Sequence, residues 1–172
     1  MAGDSLLIRH ASEFGEWEMV DRAPAASLAP YVRRMTGWWE RTAFTRRREV
    51  PGTVAVLIIN IGNRLNVNER GAGSPMASFH GFFAGLHSSH VITESTGGIG
   101  GGIQVDFTPM GAHLFTGVPA HELANRTLHV EDILGHEGRL LIDQLHGTGG
   151  ALLVTDPAAA VFRRFYKAAV LP

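Results

Sequence analysis

Residues 54–61 read Val-Ala-Val-Leu-Ile-Ile-Asn-Ile, an apolar, largely β-branched run between Pro51-Gly52 and Gly62-Asn63. A short continuous apolar run flanked by turn residues is a strand covered on both faces. It is the strongest element in the chain, and the segments around it share its character. Residues 64–69 alternate strictly, Arg-Leu-Asn-Val-Asn-Glu, as an antiparallel strand with one wet face does. Upstream, residues 17–20 alternate apolar and acidic side chains and read as the first strand. Residues 21–30, rich in Ala and Pro, read as an extended lead-in to a short helical turn near 28–32. Residues 34–43, with Trp38 and Trp39 beside Thr36 and Thr42, have strand composition. Residues 46–50 continue extended to the Pro51-Gly52 turn.

Downstream of a glycine-rich loop at 70–75, strands are expected at 78–86, 90–95 and 102–107. Gly97-Gly98 and Gly100-Gly101-Gly102 lie between the last two, where a tight hairpin or bulge is expected. A phosphate loop would need a helix after these glycines, and strand residues follow instead. Most of the 21 glycines fall in this middle third. Strands at short spacing separated by glycine turns predict a sandwich or small barrel.

The pattern changes after Pro109. Helices are expected at 110–116 and at 119–125, the latter with Pro119 at its first position. Glu131-Asp132-Ile133-Leu134 leads into a third over 136–146, with Leu134, Leu141 and Leu145 on one face. Thr148-Gly149-Gly150 breaks the pattern, and Asp156-Pro157 starts a last helix running to about residue 169. The expected class is α+β, mostly β: an antiparallel barrel or sandwich over 1–108, then a helical segment over 109–172 packed on it, one compact domain overall.

Composition narrows the function. The chain has 172 residues, 15 basic and 16 acidic, for a formal net charge of -1. A free-standing nucleic-acid binder carries a basic excess, because phosphate contacts supply most of its affinity. The absence of cysteine excludes disulfides and thiolate metal sites. Asp4 precedes the apolar Leu6-Leu7-Ile8 and Arg9 follows it, the wrong order for a secretion signal. The longest apolar stretch, 54–61, is too short to span a bilayer. A cytoplasmic protein with no membrane partner is expected.

Few residue constellations carry chemistry. No Gly-x-Ser-x-Gly elbow or cysteine nucleophile exists. Of the paired carboxylates, Glu16 and Glu18 share a solvent-facing side of a strand, and Glu131-Asp132 reads as helix capping. Arg46-Arg47-Arg48 reads as a solvated strand edge. His87-Ser-Ser-His90-Val-Ile-Thr-Glu94, followed by Pro109-Met-Gly111-Ala-His113, is a near miss to the metal-binding cupin pattern of His-x-His, Glu and Pro-x-Gly-x-x-His: the two histidines are one residue too far apart and His113 is one residue short. Side chains three apart on a strand do not share a face. His87 and His90 therefore meet one metal only through a bulge or turn, and the expected metal content is none. Trp38 and Trp39 cannot both point inward. One lines the core or a pocket, and the other is covered by the helical tail or a partner chain.

Several short motifs stand in order: Leu28-Ala-Pro-Tyr-Val32, Trp38-Trp39-Glu40-Arg41, Arg48-Glu-Val-Pro-Gly52, Val56-Leu-Ile-Ile-Asn60, Phe83-Ala-Gly-Leu-His87, Gln104-Val-Asp-Phe-Thr-Pro-Met-Gly-Ala112, Leu114-Phe-Thr-Gly-Val-Pro119, Glu122-Leu-Ala-Asn125 and Leu128-His-Val-Glu-Asp-Ile-Leu-Gly135. Over roughly residues 28–146 the chain resembles the N-terminal domain of AraC-type transcriptional regulators. The resemblance implies a cupin-like sensory and dimerisation domain that precedes a pair of helix-turn-helix motifs. Two such motifs need around 100 residues in a packed core of their own. They are not in this chain, so DNA contact is expected only through a domain outside it. A truncation, an altered reading frame near the end and a stand-alone sensor all fit.

A non-enzymatic sensor is therefore expected. It binds a small effector of unknown class or pairs with itself as a homodimer, and it needs no cofactor. Barrel mouths hold small ligands between apolar walls and a few polar groups. By strand position and polarity the candidates are Trp38, Asn60, His80, Phe82, Gln104 and Asp106. The alternative is a metal-dependent cupin enzyme, an isomerase or dioxygenase, using His80 or His87 with His90, Glu94 and His113.

Overall fold

Side chains alternate sides along a strand, and in this chain the alternation sorts them onto two layers. The computed structural model describes residues 5–69 and 75–147. In chain order the strands are β1 (Ser5–Ser12), β2 (Gly15–Arg22), β3 (Val32–Thr42), β4 (Thr45–Glu49), β5 (Ala55–Ile61), β6 (Leu65–Asn68), β7 (Ala77–Phe79), β8 (Gly81–Ala84), β9 (Val91–Ser95) and β10 (Gly98–Phe107). Then come α1 (Pro109–Thr116), α2 (Ala120–Leu123), β11 (Thr127–His129), α3 (Val130–Leu134) and α4 (His136–Gly147). Seven strands form one sheet in the order β1-β2-β3-β10-β5-β8-β11, and four form a second in the order β4-β9-β6-β7. Every pairing is antiparallel. The class is as expected: mostly antiparallel β, with short helices after it.

The large sheet has a dry face. Ala55, Leu57 and Ile59 of β5, Phe83 of β8 and Ile103, Val105 and Phe107 of β10 pack with Ala112, Leu123, Val130 and Ile142 from the helical segment. Phe115 of α1 stacks on Phe107 with ring centroids 4.9 Å apart. The helix starts cleanly because the Thr108 hydroxyl accepts from Gly111 N at 3.0 Å and Pro109 takes the first turn. A smaller apolar cluster, Val67, Phe79, Phe82 and Val91, joins the two sheets on the other side.

Five sequence expectations change. The strand expected at 17–20 is longer, and β1 precedes it as a hairpin partner. Leu6, Leu7 and Ile8 are all exposed, so no buried face imposes a period of two on that edge strand. The run 78–86 is two strands: β7 pairs with β6 in the small sheet, and β8 pairs with β5 in the large one. The glycines at 98 and 100–102 lie inside β10 rather than in a hairpin, and the turn falls at Gly97, with φ 81°. The helical segment carries a strand, β11, which extends the large sheet beside β8. Asn68, expected on a wet face, is buried.

Residues 26–31 form turns, and Val32 N at the start of β3 donates to Leu28 O at 2.8 Å. β4, with its three arginines, is an exposed edge strand of the small sheet. Glu16 and Glu18 form surface ion pairs with Arg41 and Arg9. Glu131 and Asp132 lie in the first turn of α3. The helix expected from Asp156 lies outside the described residues. Among the described residues no helix is long and apolar enough to cross a membrane.

A candidate ligand site between the sheets

Among the described residues, no helix packs on the reverse face of the large sheet. It looks across a cavity of about 660 Å³ towards the small sheet. The same alternation that sends Leu57 and Ile59 to the dry core sends Val56, Ile58 and Asn60 to the cavity. On β10, Gln104 and Asp106 alternate with the core residues Ile103, Val105 and Phe107. On β3, Arg34, Thr36, Trp38 and Glu40 share the cavity side. The small sheet contributes Arg47 and Glu49 from β4, Val67 from β6 and Thr93 from β9. Val50 lines the cavity yet is 76% exposed, which puts an opening to solvent beside it.

The polar groups of the wall are organised. Asp106, 5% exposed, accepts from Arg34 Nε at 3.1 Å and from Gln104 Nε2 at 2.6 Å. Arg34 reaches on to Asp21 at 3.7 Å, and Asp21 also accepts from the Thr36 hydroxyl at 2.5 Å. This network ties β2, β3 and β10 together across the sheet. It also offsets the desolvation of a buried carboxylate with charge-assisted hydrogen bonds. Nearer β4, Arg47 meets Glu40 at 2.6 Å.

Trp38 owes its place to glycine. A Cβ at Gly102 would stand 2.5 Å from both Trp38 Cζ2 and Ile59 O, so only a bare backbone admits the indole against β10. The glycine run that reads as a turn in the sequence is thus a strand made thin for an aromatic wall. Trp39 faces the other way, 36% exposed, with the Arg41 guanidinium 5.7 Å from its ring centroid.

Of the six residues singled out from the sequence, the structure brings five to this cavity: Trp38, Asn60, Phe82, Gln104 and Asp106. His80 stands apart from the lining, at the point where the chain changes sheets. Its carbonyl accepts from Asn60 N at 2.7 Å, and its Nε2 accepts from Arg64 Nε at 2.8 Å. The alternative metal set is not gathered. His87 lines the cavity, His90 is exposed in the loop before β9, and Glu94 pairs with Arg46 at 3.3 Å. His113 sits on α1, where its Nδ1 is 3.0 Å from Val118 O. Among the described residues no three His, Cys, Asp or Glu side chains are grouped to hold a metal. The one-residue slips in spacing are the reason: they put the four side chains on a loop, a strand and a helix that face different ways. Arg34, Thr36, Glu40 and Arg47 were not singled out. The period of two through Trp38 marks Arg34, Thr36 and Glu40, whereas Arg47 sits on the other sheet and carries no such signal.

A family model described as a domain of unknown function (DUF6597) matches residues 21–129, which run from the end of β2 to the end of β11. The chain belongs to this family. The matched DUF6597 region includes almost all of the cavity wall and omits Trp17 and Met19 of β2. No curated protein matches the sequence. Among solved structures, the Momordica charantia 7S globulin is 12% identical over 61% of this chain and 32% of its own, with a TM-score of 0.35. Vicilin from Corylus avellana (hazelnut) is 10% identical over 78% of this chain and 42% of its own, with a TM-score of 0.36. The DUF6597 chain thus spans less than half the length of either.

Proposed function

We propose that this chain is the sensory domain of an AraC-type transcriptional regulator, working in the cytoplasm, and that its effector sits between the two sheets. The motif series over residues 28–146 supports the regulator reading, and the cavity supports the effector. The observation that carries the proposal is the 660 Å³ space left inside a sandwich whose other face is fully packed. Protein interiors otherwise close to crystal-like density, and a cavity of this size falls within the range of small-molecule sites.

Binding acts here by differential affinity: an effector shifts the protein towards the state it fits better. The route out of the cavity is short. Thr127 of β11 lines it, and β11 runs directly into α3 and α4. Occupancy that moves β11 repositions those helices, and with them a second copy of the chain or an attached DNA-binding domain. The chain itself catalyses nothing in this reading.

A thermal-shift survey against a broad set of neutral and charged metabolites tests it. A true effector at a hundredfold excess over its Kd stabilises by about 2.7 kcal/mol, which for a domain of this size is roughly 5–10 °C. A monomer that no compound stabilises would overturn the proposal.

A further inference from the structure

The cavity wall carries three arginines, Arg34, Arg47 and Arg64, and three carboxylates, Glu40, Glu49 and Asp106. These charges sum to zero and are already engaged. Arg34 meets Asp106 at 3.0 Å, and Arg47 meets Glu40 at 2.6 Å. Glu49 accepts from the Thr93 hydroxyl at 3.2 Å, and Arg64 Nε donates to His80 Nε2 at 2.8 Å. A charged ligand entering here loses hydration and meets no net opposite charge in the described wall, although Arg64 and Glu49 have neutral partners.

Asn60 leaves a donor over. Asn60 is 6% exposed and lines the cavity, and its Nδ2 has no hydrogen-bond partner among the described residues. Buried amide N–H groups are ordinarily paired, so an unpaired one beside open space is a place for a ligand acceptor. The aromatic wall is adjacent: Asn60 pairs in register with Gly102, the glycine against which the Trp38 indole lies. Two further unpaired polar atoms, His87 Nε2 and Thr127 Oγ1, belong to lining residues. Thr127 lies across Ala84 from Val56, four residues from Asn60 along β5, or about 13 Å.

We infer that the cavity takes a neutral, ring-bearing molecule whose carbonyl or amide oxygen accepts from Asn60 Nδ2 while its ring lies against Trp38. The inference rests on the sensory reading and narrows it to one chemical class. Ring against indole adds directional contact to the apolar burial. Neutrality follows from the balanced wall.

Isothermal titration of the full chain with indole-3-acetamide, indole-3-acetate and tryptamine tests it. The three probes share a ring and differ in charge. The amide is expected to bind, with the anion and the cation at least tenfold weaker. Asn60→Leu is expected to weaken the amide at least tenfold with circular dichroism unchanged, and Asn60→Val serves if the leucine variant does not fold. Equal or tighter binding of either charged probe overturns the inference. So does amide binding that ignores the loss of Asn60, and so does failure of all three to bind. A charged probe that binds at least as tightly as the amide, and loses that binding when Ile58→Trp fills the cavity, would overturn the neutral class and leave the sensory reading standing. Absence of any ligand in the wider metabolite survey would overturn the reading itself.

Discussion

The two faces of the large sheet are built from the same strands and do opposite things. Leu57 and Ile58 are neighbours on β5, yet one is 2% exposed in a core closed by helices and the other looks into a cavity. The helix side is closed by buried apolar side chains such as Leu57, Phe83 and Val130. Of the five buried polar residues among those described, Thr36, Asn60, Asn68, Thr93 and Asp106, all but Asn68 line the cavity. Buried polarity carries a desolvation cost, so a chain fitted only for stability has little reason to concentrate it beside empty space. One face holds the fold, and the other carries the groups that can recognise a ligand.

That contrast is open to attack by mutation. Phe83→Ala, at 1% exposure on the helix side, is expected to cost about 3–5 kcal/mol in urea denaturation. Leu57→Ala on the same face should cost about 2–5 kcal/mol, and Ile58→Ala next to it less than about 2 kcal/mol, because its site already borders a void. Equal losses at 57 and 58 would break the comparison. Gly102→Ala places a methyl against Trp38 and Ile59, for an expected loss of about 1–3 kcal/mol. The Trp38 fluorescence should move with it, and an unchanged spectrum would remove the aromatic wall. The smallest effect has the opposite sign: Asn60→Leu, by removing an unpaired buried donor, should stabilise the ligand-free protein by up to about 1 kcal/mol. A loss at that position would mean that the amide already has work to do in the empty state.

Much of this division can be read from the chain. The run at 54–61 declares a strand covered on both faces, and the period of two separates Asn60 from Ile59 and Gln104 from Val105. The change of pattern after Pro109 marks the first helix. What sequence reading misses depends on contacts between distant segments. Arg34 joins the cavity wall through Asp106, 72 residues away. Gly100 to Gly102 looks like a turn until Trp38 is known to lie on it. The break at His80 splits one apolar run between two sheets, because both halves are buried and hydropathy alone shows no boundary. β1 has no buried face, and β11 has three residues, so neither leaves a periodic trace.

Native mass spectrometry of the wild-type chain and Ile58→Trp, each incubated with the same mixture of neutral and charged metabolites, tests the central claim most directly. The account predicts that the wild type retains a small organic mass and that the folded, cavity-filled variant does not. Retention by both proteins alike, or by neither, would contradict it.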